Sequence, residues 1–234
     1  SEGYTLLSLD YSQIELRFLA HECRDETLRD AFKNGKDVHA ATAALMWNES
    51  IDEVTPAHRR YAKMLNYAVL YGVTGFGLAN QLQGEFTVKE AQQLIKQYFE
   101  RFPKVREYID RTLKQARERG YTTTLFGRRR YFPDIHAGNR AARAYAERQA
   151  INAPLQGGSA DLIKLAMLRV ADILDGKRTR MLLQVHDELL FEWNPDERGL
   201  VEQLREAMET ALHLDVPIVV DAKAGPNWLE MKPV

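Results

Sequence analysis

The sequence predicts an α+β fold in which strands from both ends of the chain build one discontinuous lobe around a helical insertion. Two observations lead there. Short apolar runs that read as strands lie near the start and in the last quarter of the chain, whereas helical spacing with caps and stops fills the middle. Neither an internal repeat nor a low-complexity linker interrupts this plan.

The elements follow in order. Leu6, Leu7, Ser8 and Leu9 form a buried strand ending at Asp10, and Ser12 offers an N-cap to a helix from Gln13 to His21. From Asp25 to Tyr71 the pattern is largely helical, with Pro56 in the first turn of a helix that stops at Gly72. Gly75, Gly77 and Gly84 punctuate a looser region. Thr87 then caps a helix to about Arg101, and Pro103 starts another that ends near Gly120. Tyr121 to Phe126 and Arg129 to Phe132 flank Gly127-Arg128 as a hairpin. A helix from Asn139 to Ile151 is broken by Asn152-Ala153-Pro154 and Gly157-Gly158, and Ser159 caps the next, which runs to Leu174. Met181 to Val185 and Leu189 to Trp193 flank His186-Asp187-Glu188 as a tight hairpin with acids at its tip. A helix from Asp196 to His213 and a strand from Ile218 to Ala222 end the series.

Composition narrows the function classes. With 234 residues, 45% hydrophobic and 28% charged, the chain reads as globular. One cysteine, Cys23, excludes an internal disulfide framework and a cysteine zinc cluster, which fits a reducing compartment. No apolar run is long enough for a bilayer span and the start lacks signal-peptide form, so the reading is a soluble protein without a membrane partner. Net charge is −1, yet basic residues cluster at Arg59, Arg60, Lys63 and from Arg128 to Arg148, while acids crowd Asp187 to Glu209.

Taken one at a time, the chemical candidates have ordinary explanations. Asp10 reads as a helix cap, Asp187 as a turn residue, Glu15 as a capping-box partner of Ser12 and His39 as a surface histidine. Arg59, Lys63, Tyr67 and Tyr71 recur every four residues along one helical stripe that is basic at its start and aromatic at its end. That stripe suits a nucleoside triphosphate, with cations on the phosphates and a ring on sugar or base; a plain amphipathic helix burying Met64, Leu65 and Ala68 suits it too.

Longer stretches are more specific. Asp10-Tyr11-Ser12-Gln13-Ile14-Glu15-Leu16-Arg17, Arg59 to Gly72 and Val185-His186-Asp187-Glu188 resemble, in order, three signature motifs of the family A DNA polymerases, the bacterial DNA polymerase I type, and the likeness runs along essentially the whole chain. It implies a palm with an antiparallel sheet (residues 1–25 and 135–234) and helical fingers (26–134). A thumb and an exonuclease-like domain would lie on another segment or chain.

The implied activity is two-metal nucleotidyl transfer, with Asp10, Asp187 and the Tyr11 carbonyl holding two Mg2+ ions, for which Mn2+ substitutes. Glu188 and Lys63 join the catalytic set, Lys63 as proton donor to pyrophosphate. Tyr11, Gln13, Glu15, His39, Arg59, Lys63 and Tyr67 would contact the dNTP, with Glu15 as steric gate against ribose, His39 as a neutral donor and Tyr67 near the sugar. Tyr71, Arg128, Arg148, Asn152, Gln156 and His186 would contact primer-template DNA, with Tyr71 in the template base site. A bacterial cytoplasmic, nucleoid-associated setting or an organellar one follows. Rival readings are a non-catalytic nucleic-acid-binding or assembly module and a single-subunit RNA polymerase; Glu15 and the His186-Asp187-Glu188 form favour DNA.

Overall fold

A computed structural model describes residues 1–234. In chain order the first elements are β1 (Thr5–Tyr11), α1 (Ile14–Cys23), α2 (Glu26–Lys33), α3 (Val38–Trp47), α4 (Pro56–Leu70) and α5 (Gly75–Gln81). Next come α6 (Val88–Arg101), α7 (Pro103–Arg119), β2 (Tyr121–Thr123), β3 (Arg129–Tyr131) and α8 (Arg140–Leu174). The chain finishes with β4 (Arg180–Val185), β5 (Glu188–Trp193), α9 (Leu200–Glu209), β6 (Val220–Gly225) and β7 (Lys232–Pro233). This is the α+β class read from the sequence. No helix is long and apolar enough to cross a membrane.

Two compact units result, one from Ser1–Arg17 with Gly158–Val234 and one from Phe18–Gly157. The division falls within α1 and within α8.

The first unit is built on a five-stranded sheet ordered β4-β5-β1-β6-β7, antiparallel throughout. β1 lies at its centre, and Leu7 and Leu9 are wholly buried. Apolar side chains on alternate positions of β1 and β5 supply the burial, at about 25 cal/mol per Å² of apolar area, that fixes the register. Its helix α9 buries Leu204 and Met208, and the Tyr11 hydroxyl donates to the Met208 carbonyl at 2.8 Å. α9 is shorter than expected at both ends. The Glu197 carboxylate accepts from the Arg178 and Thr179 amides and the Thr179 hydroxyl instead of opening the helix. The last long strand runs to Gly225 rather than Ala222, and a 3-10 turn at Trp228–Glu230 and β7 follow it.

In the second unit α4 begins as the sequence implies: Thr55 accepts from the His58 amide at 3.1 Å and Pro56 stands in the first turn. Leu65, Ala68, Val69 and Leu70 are buried, so the inward face is the apolar one. Thr87 and Glu90 form a capping box at the start of α6. The looser region contains a helix, α5. Gly75 is there for close approach, since a Cβ would lie 2.2 Å from Gln92 Cγ of α6.

The expected break at Asn152-Ala153-Pro154 and Gly157-Gly158 does not occur, and α8 runs through Pro154 as one helix. Proline forfeits one backbone hydrogen bond. Packing offsets that loss: Ala146, Ala150 and Ala153 are buried with Ala116, Phe132 and Ile135. Gly157 serves a contact and not a turn, for a Cβ there would meet Thr124 Cγ2 at 2.6 Å.

Candidate active site

The acids gather in the sheet unit. Asp10, on the central strand, faces Glu188 of β5 on one side and Asp221 of β6 on the other. His186 and Asp187 form the two-residue turn joining β4 to β5; His186 is exposed with φ +56°, the left-handed conformation that such tight hairpins require. The Tyr11 amide donates to the Asp187 carbonyl at 3.2 Å, which ties that turn to the end of β1. Half-buried and surrounded by like charge, the Asp10 carboxyl is pushed up to about 6, first by burial and then by Asp187, Glu188 and Asp221. Burial likewise raises Asp187, with Glu188 adding to it.

Carboxylates held together against their own repulsion fit a divalent cation, which removes the repulsion. No group of three or more His, Cys, Asp or Glu side chains forms a ready-made cage. Magnesium suits such a site, because it keeps several waters and takes one or two carboxylates plus substrate phosphates. Tyr11 can offer only its backbone carbonyl: its ring is buried and its hydroxyl engaged with Met208. Glu188 is held by the Ser8 hydroxyl at 2.5 Å and the Trp228 indole N–H at 3.2 Å, both on Oε1.

Ser12 does not cap α1. Gln13, at φ +52°, precedes the helix and its carbonyl accepts from the Leu16 and Arg17 amides, so Glu15 is not a capping-box partner of Ser12 but a half-buried residue in the first turn. Arg17, buried despite its charge, donates to the Ser12 and Pro217 carbonyls at 2.7 and 2.5 Å and so clamps the strand-to-helix junction.

In the helical unit Arg59 and Lys63 are exposed on α4. Arg59 donates to Asp37 at 2.6 Å, and Asp37 also caps α3 through the His39 and Ala40 amides. Burial works against ionising Asp37, but the Arg59 and amide hydrogen bonds prevail and lower its pKa. His39 is no surface histidine: 2% exposed, it lies 5.9 Å from the Tyr67 ring, and its Nδ1 is 3.1 Å from the Asn66 amide nitrogen. Burial first, then Arg59 and Lys63, holds its pKa down at about 4 despite Asp37, so the ring is neutral at physiological pH.

Tyr71, at the end of α4, borders two clefts of this unit. One of about 590 Å³ is lined by Tyr67, Tyr71, Thr74 and Arg148, and one of about 250 Å³ by Tyr71, Arg130, Arg148, Asn152 and Gln156. The Asn152 amide nitrogen is buried without a hydrogen-bond partner. Arg128 donates to the Gly157 carbonyl at 2.9 Å, joining the β2–β3 hairpin to α8. The candidates thus fall into an acid group in one unit and a cation, histidine and amide group in the other.

Sequence reasoning passed over Asp221, Ser8, Trp228, Asp37 and Asn66. Asp221 was findable in principle, as an acid inside the predicted strand from Ile218 to Ala222; the others depend on register and helix packing that no local pattern encodes.

The DNA polymerase family A model matches residues 1–230. Curated relatives include the DNA polymerase I of Caldicellulosiruptor bescii, 47% identical over 98% of this chain and 27% of its own length. That of Pseudomonas aeruginosa is 49% identical over 98% and 25%, and the thermostable DNA polymerase I of Thermus aquaticus 47% identical over 99% and 28%. The chain therefore spans about a quarter of the length of these relatives. Among solved structures, the POL domain of Pol1 from M. smegmatis, in complex with DNA primer-template and dNTP, superimposes with a TM-score of 0.92 at 48% identity, covering 97% of this chain and 41% of that one.

Proposed function

The chain belongs to DNA polymerase family A, and from that membership we propose that it carries the polymerising centre of a template-directed DNA polymerase, which joins a dNTP to a primer 3′-hydroxyl. Asp10, Asp187 and the Tyr11 carbonyl are the groups that would hold two Mg2+ ions. Bound there, the ions supply charge stabilisation for the entering and leaving oxygens of the transferring phosphate. Glu188, fixed by Ser8 and Trp228, keeps the carboxylate row in place beside Asp10.

Arg59 grips the triphosphate bidentately and Lys63 as a point charge that also hands a proton to pyrophosphate. Neutral His39 donates a hydrogen bond, Tyr67 packs near the sugar, Gln13 contacts the nucleotide and Glu15 crowds a ribose 2′-hydroxyl. Tyr71 occupies the template base site. Arg128, Arg148 and Asn152 contact primer-template DNA, and Gln156 and His186 donate to minor-groove acceptors. Those acceptors lie in similar places in every Watson–Crick pair, so amide and imidazole donors test pairing without reading sequence.

One observation carries the proposal. Two aspartates far apart in the sequence are brought to adjoining backbone, with the Tyr11 amide on the Asp187 carbonyl, in a group of carboxylates whose pKa values burial and mutual repulsion raise. The test is primer extension with Mg2+ and four dNTPs, by this chain alone and with a supplied thumb-containing fragment of a relative at matched salt. Extension that needs Mg2+, Asp10 and Asp187 is the expected result. DNA binding without extension in either arm would leave a non-catalytic binding module as the reading, and equal use of ribonucleotides would point to an RNA polymerase.

A further inference from the structure

The hydrogen bonds around His39 fix where its proton sits. Thr42 has one hydroxyl hydrogen and two acceptors in reach, the Val38 carbonyl at 2.8 Å and Asn66 Oδ1 at 3.3 Å; the much shorter contact takes it, so Thr42 Oγ1 faces the Asn66 amide as an acceptor at 3.1 Å. Tyr98 is wholly buried, and burial drives its pKa far above the ordinary phenol range, so it keeps its hydrogen and donates it to Asn66 Oδ1 at 3.0 Å. With Oδ1 held there, the amide nitrogen has two hydrogens for two neighbours, Thr42 Oγ1 and His39 Nδ1 at 3.1 Å.

Turning the amide over would place its nitrogen against Tyr98 and strand the phenol hydrogen in a fully buried site without an acceptor. An amide nitrogen accepts nothing, so His39 Nδ1 must present a lone pair, and a neutral ring then carries its hydrogen on Nε2. Asn66 is itself 0% exposed on the inward face of α4, three residues beyond Lys63, where no solvent can compete for the amide.

We propose that Asn66 is a positioning residue for His39: held by Tyr98 and Thr42, its amide locks the imidazole in the Nε2–H tautomer, a neutral hydrogen-bond donor suited to a nucleoside triphosphate. The nucleotide part rests on the function proposed above; the tautomer part does not. The charged groups facing the ring are Asp37, Arg59 and Lys63. All three act through space and leave the choice between the two ring nitrogens to the Asn66 amide.

The test is two-bond 1H–15N correlation on the whole chain with 15N-labelled histidine, His39 being assigned by its loss in His39→Gln. The expected spectrum shows His39 Nε2 protonated and Nδ1 bare. In Asn66→Asp the carboxylate accepts where the amide donated, and the hydrogen moves to Nδ1. Tyr98→Phe, which introduces no buried charge and removes only the hydrogen bond that orients the amide, gives a mixture of the two forms. A proton on Nδ1 in the unsubstituted chain, or an unchanged tautomer in a folded Asn66→Asp or Tyr98→Phe chain, overturns the proposal.

In extension assays Asn66→Asp should raise KM for dNTP by about tenfold with kcat little changed, the size of one hydrogen bond to a charged group. It should add nothing in a His39→Gln background. A moved tautomer with unchanged KM would refute the nucleotide role of His39 while the positioning by Asn66 stands.

Discussion

The sheet unit and the helical unit both concentrate charge, and they manage it in opposite ways. Around Asp10 four carboxylates share one end of the sheet, and Lys223 is the single basic group that lowers Asp10 against burial and three acids. Around Arg59 the charges are matched: Asp37 takes the guanidinium, and Arg60 is met bidentately by Glu85. His39 escapes charge altogether by staying neutral. The carboxylates at the end of the sheet thus crowd like charge, whereas on the helical unit Arg59 and Arg60 are each paired with an acid. On the function proposed above, a divalent ion would relieve the first group, and a triphosphate would compete with Asp37 for Arg59 in the second.

The sharpest way to break this contrast is to neutralise each side in turn. Asp10→Asn, or Asp187→Asn, should cut Mg2+-dependent extension on the order of a thousandfold or more, the scale of losing a principal charge-stabilising group. Stability of the metal-free chain at pH 7.5 should hold or rise, as read by urea melts in EDTA; a loss there would show the carboxylate to be structurally satisfied and the contrast false. Next in size, Arg59→Ala should lower kcat/KM for dNTP on the order of a hundredfold, since a bidentate phosphate contact combines two charge-assisted bonds. Lys63→Ala should follow it, with the deficit in kcat rather than KM if it serves the departing pyrophosphate. Equal losses in both parameters for both variants would remove the distinction between grip and proton donor.

How much of this was legible beforehand depends on what each residue answers to. Thr55, Pro56, Thr87 and Gly120 act through their own backbone, and the helix ends they mark are where the sequence puts them. Pro154 and Gly157 carry the same local signal, yet α8 ignores it, because alanines packed against Phe132 and a hairpin pressed onto Gly157 reward continuity more than proline penalises it. The site divides along the same line. Asp10, Asp187 and Arg59 stand in contiguous motifs, which is enough to single them out as candidates. His39 looked like a surface residue because its burial comes from α4, whose side of the contact, Asn66, has nothing in its own neighbourhood to announce it. Asp221 and Trp228 matter only through the β1–β6 register and the turn after β6, both of which are long-range.

Smaller effects test the contrast more finely. Because the Asp10 pKa is raised from an unfolded value near 4 to about 6, the folded chain binds the extra proton between those limits, and metal-free stability should increase as pH falls from 7.5 through 6. For a half-buried group the gain should be about 1 kcal/mol after solvent screening, and it should vanish in Asp10→Asn or when Mg2+ replaces the proton. A flat profile in EDTA would mean that burial and the neighbouring acids do not raise Asp10 in the folded chain.

The smallest effect should come from the paired side. Asp37→Asn keeps an N-cap for α3, since asparagine caps as well as aspartate, but it takes away the anion that holds Arg59. The exposed pair is worth a few tenths of a kcal/mol to about 1, so dNTP affinity, measured by titration without turnover, should improve about two- to fivefold. Weaker binding would reverse the inference, making Asp37 the residue that aims Arg59 at the phosphates rather than the one that competes for it.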